Sequence, residues 1–325
     1  MNPTGDEILR AIEEPPYERV AREIRETARK RLHEDKSGYP RWAWPAVDRA
    51  TGPLAPGEVW TLGALQGNGK TAWLLNVIDS LTAEKIPWLY LGLEVDATTL
   101  MLWWAAMRQG IPRFRLVDNT LTPAETDAMQ GEVNALMQFT GDTNFVPSHD
   151  VNPRQVVKLM ESAVAANSGR VVIVDHLHHL NFGETANLRA AVSDAMRRIK
   201  ACAITTGQTV ILAAQLARRS GDVLQPWRTP STGELKESGA IEQISDVVLF
   251  LHRMMRPGSK DAQRLYTLGE APASAFAWPN RIGFTVAKHR LGKPAHVTIP
   301  LEIQAPTDRI YEAPPERPDW RATTP

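Results

Sequence analysis

Val59-Trp60-Thr61-Leu62-Gly63-Ala64-Leu65-Gln66-Gly67-Asn68-Gly69-Lys70-Thr71 decides the fold. An apolar run ends in a glycine-rich turn, and the turn ends in Lys-Thr at the start of a helical pattern. That context defines a phosphate-binding loop. Gly67 and Gly69 let the backbone curl so that its N–H groups face phosphate, with Asn68 between them. The helix amino end adds partial positive charge. Lys70 is placed to reach the β- and γ-phosphates of ATP, and the Thr71 hydroxyl to ligate Mg²⁺. The motif opens on Ala64 where Gly is usual, at the least demanding position of the turn.

Outward from the loop, short apolar runs alternate with helical patterns. The runs are Val59–Gly63, Trp88–Leu93, Val171–Asp175, Val210–Ala214 and Val247–Leu251. The helical patterns are Lys70–Ser80, Thr98–Arg108, Pro123–Phe139, Pro153–Asn167 and Leu188–Thr206. Near-continuously apolar strands between helices predict an α/β fold with a mostly parallel central sheet covered on both faces. Ile282–Lys288 and His296–Ile299 lack intervening helices and are expected antiparallel at the sheet edge. Three regions follow: a helical arm over 1–44, one α/β domain over 45–303, and a proline-rich flexible tail over 304–325. In the arm, Asp6–Glu14 reads as a short helix stopped by Pro15 and Pro16. Tyr17, Val20, Ala21, Ile24, Ala28 and Leu32 then form a helical apolar stripe, which needs its own domain or a neighbouring subunit to cover it.

Two carboxylates complete the chemistry of the loop. Asp175 follows four β-branched residues, so it stands at a strand tip, where it would hold Mg²⁺ together with Thr71. Glu94 ends the next apolar run after the loop and, in a parallel sheet, lies on the same edge. It is the candidate to orient an attacking water; the alternative is a helix-start carboxylate before Thr98.

These residues resemble the motor domain of DnaB-type replicative helicases, which are RecA-like hexameric ATPases. The resemblance runs from about Pro45 to Pro300 through Val47-Asp48-Arg49, Leu54-Ala55-Pro56-Gly57-Glu58 and the loop. It continues through Leu91-Gly92-Leu93-Glu94, Asp175-His176-Leu177, Gln215-Leu216-Ala217-Arg218, Leu235–Gln243 and Ala287–Gly292. It implies a RecA-like P-loop fold and a homo-hexameric ring translocating 5′-to-3′ on single-stranded DNA, with ATP and Mg²⁺ bound between neighbours. Lys288 and Arg290 would reach into the next subunit's site, and Gln215 would sense the γ-phosphate. The segment Arg218–Gly239, with Arg218, Arg219, Arg228, Lys236, Glu237 and Gly239, would meet DNA. The chain departs from the family at His178, where Gln is usual, at Ala217 and at Leu291. About 45 residues of arm stand where the bacterial enzyme has a globular domain. This suggests a phage, plasmid or other mobile-element version, with loader and primase partners open. Two other readings remain: a RecA-like recombination mediator that does not unwind, and a regulatory oligomerising ATPase.

Composition fits this picture. Of 325 residues, 37 are Lys or Arg and 37 are Asp or Glu, so bulk positive charge cannot be the means of binding nucleic acid. A local track can: between Arg189 and Lys236 eight basic residues face three acidic ones. One cysteine, Cys202, forms no internal disulfide and fits a reducing, cytoplasmic setting. Met1–Glu14 is too polar for a signal peptide, and no apolar run approaches the ~20 residues of a membrane span. His176, His178 and His179 invite a zinc reading, but on a continuing strand they would not share one face, so a polar loop over nucleotide or pore is expected. Of the ten tryptophans, Trp103 and Trp104 read as core, Trp42 and Trp44 flank the domain entry, and Trp227 is the best candidate to stack on bases.

Overall fold

A computed structural model describes residues 16–33, 35–140, 145–147, 150–184, 187–217, 229–235, 238–255, 277–291, 296–304 and 306–313. The chain divides into two units, 1–39 and 40–325. In the first, helix α1 (Pro16–Leu32) carries Tyr17, Val20 and Ile24 exposed. Asp35 then accepts from the Ser37 amide to set a short 3₁₀ turn, Lys36–Gly38. The expected helix Asp6–Glu14 lies outside the described residues.

The second unit is built on strands β1 (Val59–Ala64), β2 (Trp88–Gly92), β3 (Phe145–Pro147), β4 (Val171–Asp175), β5 (Thr209–Gln215), β6 (Val247–Met255), β7 (Ala277–His289), β8 (Val297–Gln304) and β9 (Arg309–Glu312). Among the described residues they form one sheet in the order β3-β2-β4-β5-β1-β6-β7-β8-β9. The pairings from β3 to β6 are parallel, and those from β6 to β9 antiparallel. This is the expected mostly parallel sheet with late antiparallel strands.

Strand alternation sorts the core into two layers. Trp60, Leu62, Tyr90, Ile173, Ile211 and Leu249 face one layer. It is covered by α2 (Pro45–Thr51), α3 (Lys70–Ala83), α4 (Ala97–Gln109) and α6 (Pro123–Thr140), with α5 (Arg113–Val117) following α4. Val59, Leu91, Val172, Leu212 and Phe250 face the other. There the cover is α7 (Pro153–Ala165), α8 (Leu188–Thr206) and α9 (Ser238–Ile244). Successive residues of a buried strand serve opposite faces, which is why these runs are apolar at every position.

Both expected boundaries move. Trp42 and Trp44 are buried in the first layer rather than ending an arm. Trp42 packs on Trp60 at 5.3 Å and on Trp73 at 5.0 Å, and Trp73 stacks on Phe284 at 5.4 Å. Trp44 Nε1 donates to Ile310 O at 2.9 Å. The chain after Gln304 therefore does not begin a tail: it turns and adds β9, with Ile310 buried against the same cluster. A buried indole N–H needs an acceptor, and this one ties residue 44 to residue 310. Burial also removes Trp42 and Trp44 as base-stacking surfaces; Trp227 lies outside the described residues.

Candidate nucleotide site

The phosphate loop leaves β1 at Ala64 and enters α3 at Lys70. Gly67 and Gly69 have φ of 78° and 83°, left-handed values that L side chains rarely adopt. Lys70 is nearly buried, and its Nζ donates to Ala64 O at 3.3 Å, across the mouth of its own loop. The loop floors a cavity of about 350 Å³. Glu94 and Val95 stand on one wall, and Trp103, Arg113, Ile282, Ile303 and Asp308 form the rest. Arg113 lies over the Trp103 ring, 4.5 Å from its centroid, and pairs with Asp308.

Asp175 lies at the tip of β4. Thr71 Oγ1 and the Tyr90 hydroxyl both donate to its Oδ2, at 3.1 and 2.7 Å. Its Oδ1 is buried and has no partner among the described residues. A buried carboxylate oxygen left without a donor is costly, and a hard cation at this place would satisfy it. The residues thus fit Mg²⁺, held by Thr71 and Asp175. Burial pushes the Asp175 pKa up, partly opposed by the Tyr90 and Thr71 hydroxyls. A carboxyl whose folded pKa is raised loses stability as pH rises from its unfolded value through its folded one. Asp175→Asn removes that charge and still offers an amide oxygen to both hydroxyls. We expect its ligand-free melting temperature to exceed the parent's at neutral pH, with the gap closing in acid. The same variant should lose Mg²⁺-dependent nucleotide binding; unchanged melting and binding would count against the cation site.

Glu94 is brought to the pocket by a tight turn. Leu93 N donates to Asp175 O at 2.7 Å, which locks the end of β2 to the tip of β4. The cap of α4 is Asp96, which accepts from Thr99 N at 2.9 Å. Glu94 is thus not the helix-start carboxylate that was its alternative reading. A Cβ on Gly92 would lie 2.7 Å from Val95 O, a backbone atom with little room to move. Gly92→Ala should cost about 1–3 kcal/mol in urea unfolding and lower hydrolysis more than nucleotide affinity, because the turn carrying Glu94 must shift.

His176 Nε2 lies 3.4 Å from Glu94 Oε2. Burial, then the neighbouring histidines, lowers the His176 pKa to about 3, so the ring is neutral at working pH. The chain after Asp175 does not continue as a strand. It enters a 3₁₀ turn, Leu177–His179, which brings the His176 and His179 rings to 4.0 Å between centroids.

Gln215 pairs in register with Ala64, beside the loop. One residue on, Leu216 bridges to Leu235, and Ala217 N donates to Glu234 O at 2.8 Å. Ala217 and Glu234, which bound the segment between them, therefore lie together next to Gln215. Arg218, Arg219, Arg228, Lys236 and Glu237 lie outside the described residues; Gly239 is exposed in the first turn of α9. Lys200, one of the eight basic residues, pairs with Asp246 at 2.5 Å and so is committed to the fold.

Lys288 and Arg290 are not near this pocket. Asp246 N donates to Val59 O, at the start of β1, and Arg290 N donates to Asp246 O at 2.7 Å. Arg290 thus sits at the opposite sheet edge from the phosphate loop, five strand steps or about 17 Å away, while Lys288 pairs with Val248, level with Thr61. Lys288 Nζ donates to Ser245 O at 2.9 Å and to Glu242 O, so its own chain holds it at the end of α9. Arg290 is 46% exposed, with Asp246 Oδ1 at 3.4 Å.

A family model for the DnaB-like helicase C-terminal domain matches residues 43–308. The chain belongs to this family. Among curated DnaB-like relatives, it is 28% identical over 216 residues to the replicative DNA helicase DnaB of Geobacillus stearothermophilus, covering 64% of this chain and 45% of that protein. It is 24% identical over 211 residues to the DnaB of Buchnera aphidicola from Schizaphis graminum, covering 64% and 44%. The chain thus spans less than half the length of these DnaB proteins. A solved "ATPase Domain of G40P" superposes with a TM-score of 0.68 at 18% identity, covering 90% of this chain and 99% of that one. A DnaB-like replicative helicase, solved for its interactions with primase, gives 0.69 at 17%, covering 90% and 66%. At that identity the likeness is one of fold, and the fold is RecA-like. Among the described residues no helix is long and apolar enough to cross a membrane.

The structure brings the loop, Asp175 and Glu94 together, as the sequence reading expects. That reading missed Tyr90, whose hydroxyl holds Asp175 from the middle of an apolar strand. It also missed the walls of the pocket, since Trp103 read as core and Ile303 and Asp308 adjoined the supposed tail.

Proposed function

We propose that this chain is an ATP-driven DNA helicase motor acting as a ring of six copies on single-stranded DNA. The observation that carries the reading is the separation of the phosphate loop from Arg290. A subunit holding both at opposite sheet edges cannot close its own site, but a neighbour's Arg290 can. Within the site, Lys70 neutralises phosphate charge and Glu94 orients water toward the γ-phosphorus. Gln215 reports the state of the γ-phosphate to the segment that begins beside it, and Arg218, Arg219, Arg228, Lys236, Glu237 and Gly239 meet the DNA backbone. Mg²⁺ held by Thr71 and Asp175 would neutralise phosphate charge. Lys288 ties the end of β7, from which Arg290 projects, to the end of α9. The apolar stripe of α1 is assigned to a neighbouring subunit, and travel is assigned 5′-to-3′.

The test is hydrolysis with and without oligo-dT, alongside unwinding of forked duplexes and the mass of the assembly with a non-hydrolysable ATP analogue. A helicase shows single-strand-stimulated hydrolysis and opens the fork, and Lys70→Ala loses both. Stimulated hydrolysis without unwinding would favour a strand-exchange mediator; neither activity would favour a regulatory ATPase.

A further inference from the structure

We propose that Glu94, His176 and His179 form a capture site for a transition-metal ion of the Zn²⁺ class, and that an ion held there switches hydrolysis off. Each residue offers one ligand atom, and the three atoms lie within 4.8 Å of one another. The Glu94 Oε2 to His176 Nε2 distance is 3.4 Å. Tetrahedral zinc with bonds of about 2.0–2.1 Å requires ligand atoms about 3.4 Å apart. One edge of the tetrahedron is therefore already built.

The turn explains why the ligands meet. On a strand, residues 176 and 179 would point to opposite faces. In the 3₁₀ turn Leu177–His179, residues three apart eclipse. His179 Nδ1 donates to Leu93 O at 3.3 Å, which leaves the lone pair on Nε2. Ligating histidines are commonly oriented in this way. The His176 side chain is 5% exposed, and its Nδ1 is buried without a partner. Glu94 is 40% exposed toward the pocket, so a fourth position stays open there.

Two imidazoles and one carboxylate suit borderline ions such as Zn²⁺, whereas Mg²⁺ prefers six oxygens. The pocket thus sorts cations, the hard ion to Thr71 and Asp175 and the borderline ion to the histidines. An ion on Glu94 occupies the oxygen lone pair that would orient water. Binding does not depend on the catalytic role given to Glu94; inhibition rests on it.

The test uses the whole chain without chelator or thiol, in excess Mg²⁺. Equilibrium dialysis against buffered Zn²⁺ should find about one ion per chain bound at this site, lost in His179→Gln and in His176→Gln. Zinc should slow parent hydrolysis about 10²-fold or more, reversibly on adding a zinc-selective chelator. His179→Gln should hydrolyse at one rate with and without zinc. Equal zinc uptake by parent and both variants would overturn the site. Histidine-dependent uptake with unslowed hydrolysis would overturn the switch and count against Glu94 as the water-orienting group.

Discussion

Arg290→Ala chains bind nucleotide as the parent does and hydrolyse it about 10³-fold more slowly or worse. The binding half follows from position. Arg290 is at the far end of β1 from the loop, so its own nucleotide never meets it. The rate half follows from charge: a guanidinium delivered by a neighbour matters only where negative charge builds on the transferring phosphoryl group. The fold should change little, because Arg290 is half exposed, and its long pair with the buried Asp246 and its hydrogen bond to Gln243 O together contribute about 1–2 kcal/mol. Asp246 also keeps Lys200 and the Val59 amide. Mixing supplies the decisive measurement. Lys70→Ala chains retain Arg290, and Arg290→Ala chains retain the loop, so mixed assemblies regain some correctly paired sites. Steady-state phosphate release that shows neither partial rescue on mixing nor poisoning of the parent by either variant would sink the shared site.

Glu94→Gln chains take up ATP and hold it uncleaved, with turnover reduced about 10²- to 10⁴-fold. The amide has the carboxylate's shape, so the turn locked by Leu93 and Asp175 is kept and affinity with it. What is lost is the negative oxygen proposed to align water. Filter retention of radiolabelled ATP, followed by analysis of the bound species, reads this directly. ADP accumulating at the parent rate would remove Glu94 from the reaction.

The parts of the site legible in the sequence are those whose chemistry is local. Gly67, Gly69, Lys70 and Thr71 are contiguous, and four β-branched residues before Asp175 announce a strand tip. The rest depends on chain geometry or on contacts distant in sequence. Tyr90 looks like any apolar strand residue until β2 lies beside β4. His176 and His179 meet only because the strand stops at Asp175. Trp44 and Ile310 are 266 residues apart, and no periodicity in either segment signals the hydrogen bond between them. The sequence places Trp42 and Trp44 only at the domain entry, but with Trp60 and Trp73 these indoles fill the core. Burying such large rings gains more than exposing them.

The placement of Ala64 and Arg290 at opposite ends of β1 gives each subunit a head and a tail. Contacts made this way are heterologous: the patch used on one copy differs from the patch used on the next. Two copies related by a two-fold axis would set loop against loop and leave both sites incomplete. Copies sharing the proposed composite site would instead repeat one screw or rotation, closing into a ring if the rotation divides a full turn and running on as a filament if it does not. Hydrolysis per chain should consequently fall steeply on dilution, because a solitary chain has every part of the site except the one it lends away.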